Sequence, residues 1–174
     1  VCLAEMSLDG SEKQKYHISQ AKKNVLDNNE TSKLFVSILD QKPDGYWGYF
    51  DSSKAHQLWE KMHELEPRGN FIKQFYAWTM NNNDKSIATI NKFIDEAESN
   101  NEPYENLLNL LGYKLMAKGD MDGAEKVFLE YIKAYPKGYN AYDSMGEYYL
   151  KKEMIEPTKD MYMKALEKYR FANN

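Results

Sequence analysis

Tyr142-Asp143-Ser144-Met145-Gly146 gathers residue types used in acyl transfer. A nucleophile elbow needs glycine two residues on either side of its serine, because the strained strand-to-helix turn leaves no room for a side chain. Tyr142 fills the first of those positions, so the stretch is expected to be a helix interior and Ser144 a structural residue. His56 and His63 stand seven positions apart. Two helical turns separate such imidazoles by about 10.5 Å. A shared metal would need closer spacing or carboxylates from elsewhere, so these are expected to be partly exposed polar histidines; His17 stands alone. Asp120 and Asp122 before Gly123 resemble the start of a calcium loop but lack the closing glutamate at the twelfth position; helix capping accounts for them. Gly45 and Gly48 have no following Lys-Ser or Lys-Thr to cradle phosphate. The expected tally is no catalytic residue, no metal and no cofactor.

The elements that hold these residues repeat. Gly112 and Gly146 are 34 residues apart, the period of a helix–turn–helix repeat unit. At the same offset Leu111 matches Met145, Leu115 matches Tyr149, Phe128 matches Tyr162, and Tyr131 matches Ala165. Two helices of a hairpin approach closely only where one adds no bulk, so Gly112 and Gly146 are expected to face large residues of the partner helix. Gly119 reads as a helix end, Asp120 as the next cap, and Pro136-Lys137-Gly138 as a turn.

Upstream the pattern weakens. Val1 to Leu8 looks like the tail of a helix whose start is missing, and a chain beginning at Val1 is expected to be processed or a piece of a longer protein. Ser11 with Gln14 opens a helix to about Leu26, and Thr31 opens another through Leu39. Tyr46, Trp47, Tyr49 and Phe50 then form an aromatic loop, which either packs over a hairpin edge or forms a contact surface. Ala55, Trp59 and Met62 mark a helix ended by Pro67. Phe71, Phe75 and Trp78 give the next helix one stripe, with Ile72, Tyr76 and Thr79 as a second. Asp84 is the expected cap of a helix carrying Ile87, Ile90, Phe93, Ile94 and Ala97. Lys114 and Lys118 are expected to point into solvent as like charges.

Composition narrows the classes. With 174 residues, 42% of them hydrophobic and 29% charged, the chain fits one soluble domain able to bury a core. A net charge of −4 argues against nucleic acid and anionic lipid as partners. No apolar run reaches the roughly 18 residues of a membrane span. Cys2 is the single cysteine, which rules out an internal disulfide and leaves the compartment open, cytoplasm or periplasm.

The segments L-L-G-Y-K-L, A-E-K-V-F-L-E-Y with Pro136, Y-D-S-M-G-E-Y-Y and Y-M-K-A-L resemble the tetratricopeptide repeat family. The match is specific over 105–170, weaker over 52–104, and faint before that. The resemblance implies an all-α chain, an α-solenoid of antiparallel helix hairpins in a right-handed superhelix. It also implies a concave groove lined by first helices, which holds a peptide or a partner domain. Carried over, the groove residues are Asn106, Asn109, Tyr113, Met116, Asn140, Asp143, Glu147 and Leu150, with Phe75 and Thr79 upstream. Family members that clamp chaperone C-termini use convergent lysines and asparagines. Here Asn109 fits, but Asp143 and Glu147 would repel a carboxylate.

The expected domain is therefore 1–174, with its clearest repeats at 105–138 and 139–170, weaker ones over 52–104, and N-terminal helices plus the aromatic loop over 1–51. The expected function is a non-catalytic protein-interaction scaffold. The alternative rests on a similarity to helical repeat tails of bacterial hydrolase-type proteins: a C-terminal repeat domain of a larger enzyme whose catalytic domain is absent here. Solenoids normally end in a polar capping helix. Met161, Tyr162, Met163, Leu166, Tyr169 and Phe171 leave this one apolar on more than one side, so self-association or docking through the C-terminal helix is expected.

Overall fold

Gly119 shows how the best-marked hairpin turns. It takes the left-handed conformation at φ 90°, where a side chain would be strained. Its N–H donates to the Met116 carbonyl at 3.1 Å and that of Asp120 to the Leu115 carbonyl at 3.0 Å, the paired bonds of a Schellman ending. Asp120 then caps the next helix, its Oδ1 accepting from the Gly123 N–H at 2.9 Å. The expected stop and restart are both present.

The computed structural model describes residues 30, 33, 34 and 53–172. The aromatic loop, the helix expected over 11–26 and, save Lys33 and Leu34, the helix expected over 31–39 lie outside the described residues. Those described form seven α-helices and no strand: α1 Ser53–Leu65, α2 Asn70–Trp78, α3 Asn83–Ser99, α4 Glu105–Lys118, α5 Met121–Ala134, α6 Tyr139–Lys151 and α7 Ile155–Ala172. The fold is all-α, built of antiparallel hairpins. They fall into two compact units, residues 1–81 and 82–174, and the boundary cuts the stretch 52–104 that the sequence pattern joined.

In the first unit α1 and α2 close on aromatic rings. Trp59 is fully buried and stacks on Phe75 at 5.0 Å between centroids, with Phe71 edge-on to both. His56 and His63 do share a face of α1, and their rings both stack on Tyr76, at 5.5 and 4.9 Å between centroids. Their spacing thus serves packing on one tyrosine.

In the second unit α4–α5 and α6–α7 are each a close-packed pair. A methyl group on Gly112 would run into the Phe128 ring, and one on Gly146 would come within 2.6 Å of the Tyr162 ring. Both glycines face the bulky residues their spacing required. Met116, Ala124, Phe128, Met145 and Tyr148 form the core over which α4, α5 and α6 meet.

Two local expectations are corrected. The cap of α3 is Asn82, whose side chain accepts from the Lys85 N–H at 2.9 Å; Asp84 lies two residues later, within the first turn. Asp84 instead meets Lys118 at 2.6 Å, so Lys118 ties α4 to α3 and does not simply extend into water. An acidic group in the first turn still suits the positive end of the helix dipole.

Candidate functional site

Residues spaced three and four apart share one face of a helix. Asn106, Asn109, Tyr113 and Met116 on α4, and Asn140, Asp143, Glu147 and Leu150 on α6, follow that spacing at matching positions. The middle of the two stripes meets. The Tyr113 hydroxyl donates to Glu147 Oε2 at 2.8 Å, across an offset of 34 residues. The Ser144 hydroxyl donates to Asn109 Oδ1 at 2.6 Å. One pair of equivalent positions, Tyr113 and Glu147, and one pair a residue out of step, Asn109 and Ser144, thus touch through polar side chains.

The sequence pattern makes Ser144 a structural residue of a helix interior, not a nucleophile. It is 1% exposed inside α6, with its hydroxyl committed to Asn109, which is a packing role. The signal that would have placed it in the site is its position one residue beyond Asp143, the counterpart of Asn109. Tyr162, expected both to pair with the repeat position of Phe128 and to belong to the apolar surface of the last helix, borders this face. It lies beneath Gly146, and Glu147 and Asp143 both raise its pKa, behind burial as the main cause.

The electrostatics of this face are acidic. Burial and then the charge of Glu147 push the Asp143 carboxyl above its ordinary value. Tyr113 is raised strongly, first by burial; the bond from Ser144 opposes that shift, while the Glu147 acceptor and the Asp143 charge add to it. Among the described residues no lysine or arginine pairs with Asp143 or Glu147. Asn106 and Leu150 are exposed at the two ends of the face.

Four expected groove residues are placed elsewhere. Met116 is buried in the core, because α5 and α6 close over the end of α4. Asn140 donates to the Tyr131 hydroxyl at 3.1 Å, which turns its amide toward α5. Phe75 is buried against Trp59 in the first unit. Thr79 is buried at the end of α2, its hydroxyl donating to the Phe75 carbonyl at 2.9 Å. His56 Nδ1 lies 2.9 Å from that same hydroxyl oxygen, which leaves the imidazole as the donor. A stripe of three-and-four spacing cannot say which of its ends a neighbouring helix will cover.

No group of three His, Cys, Asp or Glu side chains among the described residues is placed to hold a metal ion, and no helix there is long and apolar enough to cross a membrane.

No family model and no curated protein sequence matches the chain. Its backbone is similar to solved structures of a protein named MamA. One, a crystal structure of MamA, is 19% identical with a TM-score of 0.57, covering 94% of this chain and 96% of that one. A second, residues 41 to the end of MamA from Desulfovibrio magneticus RS-1, is 10% identical with a TM-score of 0.59, covering 94% and 89%. A third, MamA from MSR-1, is 17% identical with a TM-score of 0.53, covering 92% and 87%. At such identities the likeness bears on fold, and it supports an α-solenoid-type helical repeat.

Proposed function

We propose that this chain is a tetratricopeptide-like interaction module, which holds a peptide or partner segment on the face formed by the first helices of its two clearest repeats. The observation that carries this reading is the pair of bonds from Tyr113 to Glu147 and from Ser144 to Asn109. They fix α4 against α6 side by side, with the exposed Asn106, the half-buried Asp143 and the remaining acceptor capacity of the exposed Glu147 as the polar groups that would recognise a ligand. A rigid polar face supported by a packed core is what a recognition surface needs, because little side-chain freedom is left to lose on binding.

The charge of the face bears on the partner. With Asp143 and Glu147 together, a partner presenting its own carboxylate is disfavoured. A non-catalytic role fits Ser144, whose hydroxyl is buried and engaged. The outer face of α7 is a second docking surface in this reading.

The test is affinity capture of native partners on the immobilised chain, followed by the same capture with Tyr113→Ala and Glu147→Ala combined. Loss of the captured species at unchanged helicity is expected. Equal capture by the variant would sink the groove assignment.

A further inference from the structure

Helix α7 displays Met163, Leu166 and Phe171 on its outer side, 67%, 44% and 74% exposed. Asp160, Lys164, Glu167 and Arg170 stand among them, and all these side chains border one shallow depression. Lys159 and Glu156 on the same helix pair at 2.8 Å. Among the described residues, the four charged groups of the outer face make no ion pair. Their spacing of four, three and three would permit pairs along the helix.

Down α7 these charges run negative, positive, negative, positive. Reading the helix backwards inverts the order. An antiparallel copy therefore sets Asp160 opposite Arg170 and Lys164 opposite Glu167, whereas a parallel copy sets like against like. A two-fold contact has this property by construction, since residue i meets j while j meets i. The span from Asp160 to Arg170 is about 15 Å of helix, nearly three turns. Met163 and Leu166 fall at its middle, where each is nearest the same residues of the other copy.

We propose that α7 pairs antiparallel with α7 of a second copy of this chain, with Met163 and Leu166 packed at the two-fold and Asp160–Arg170 and Lys164–Glu167 bridges crossing between the copies. This deepens, and rests on, the reading of the α7 face as a docking surface. The patch is small, so the pair is a reversible dimer and not a permanent one.

Sedimentation equilibrium on the whole chain tests the register. The wild type is expected to dimerise reversibly. Asp160→Arg alone, and Arg170→Asp alone, each turn two attractive contacts into like-charge ones, so each dissociates about tenfold more readily. Mixed in equal amounts, the two variants restore opposite charges at both ends and are expected to form a heterodimer of wild-type strength. A wild type that stays monomeric at several hundred micromolar overturns the proposal and the docking of α7 on a second copy with it. A dimer that ignores both charge reversals, yet dissociates with Met163→Glu, overturns the register while the docking face stands.

Discussion

Phe128 is fully buried beneath Gly112, closed in by the rings of Tyr113 and Tyr148. At the matching place in the next repeat, Tyr162 lies beneath Gly146 but keeps part of its ring at the surface. The difference extends along both second helices. Ile132 of α5 and Tyr135 just past its end are half-buried, and Tyr135 accepts from the Tyr104 N–H at 2.9 Å; their counterparts Leu166 and Tyr169 on α7 are 44% and 51% exposed. One sequence pattern thus makes two hairpins with the same interior. What covers the outer face is decided by the neighbouring helix, which α5 has in α6.

The largest effect should come from the two glycines. Gly112→Ala gains helix propensity of up to about 1 kcal/mol, but its methyl group meets a ring that cannot move. We expect a net loss of about 2–3 kcal/mol in urea unfolding. Gly146→Ala meets Tyr162, whose ring has solvent to swing into, and should lose about 1 kcal/mol. Equal losses at the two sites would break the contrast between a locked and an open hairpin. A stabilised Gly112→Ala would show that the close approach itself is wrong.

That contrast marks how far the residues could be read in advance. The spacing of Gly112, Gly146, Phe128 and Tyr162 gave the hairpins, and Gly119 with Asp120 gave the turn between α4 and α5. These signals are local or repeat at a fixed interval, so they survive without tertiary information. Asn109, Tyr113, Asp143 and Glu147 could be placed on one face because equal positions of adjacent repeats meet. Met116 and Asn140 could not, since their stripes continue into regions that α5 covers. Asn82 was missed as a cap because Asn81, Asn82, Asn83 and Asp84 are all competent N-caps, and only the Lys85 N–H bond selects one.

The hairpin ends offer a sharper comparison of intermediate size. Asp120→Ala removes the cap of α5 and should cost about 1 kcal/mol. Glu153, which follows Gly119 at the repeat interval, takes the same left-handed conformation at φ 58°. The bonds are the same too: the Met154 N–H donates to the Tyr149 carbonyl at 3.0 Å, and the Glu153 N–H to the Leu150 carbonyl at 2.9 Å. A glutamate side chain is strained there and glycine is not. Glu153→Gly is expected to raise stability by about 1 kcal/mol, measured as a higher urea midpoint at constant slope. A loss would mean that the two turns are not equivalent.

The smallest effect tests the polar face where the two repeats meet. Asn109 is neutral, while its counterpart Asp143 carries a charge that burial and Glu147 both oppose. A carboxyl raised in the folded state binds its proton more tightly there than in the unfolded chain. Between the unfolded value, near 3.9 for aspartate, and the higher folded one, the native state holds more protons, so stability falls as pH rises through that window. Above it a constant penalty remains. Asp143→Asn should remove both the slope and the penalty, making the chain slightly more stable at neutral pH while weakening partner capture. Water screens this partly exposed group, so the gain is small, and urea midpoints at pH 3 and pH 7 will reveal it as a difference between variant and wild type that exists only at pH 7. A variant less stable than wild type at pH 7 would mean that Asp143 has a favourable contact in the fold, and that the acidic face is held together by its charge instead of being kept in spite of it.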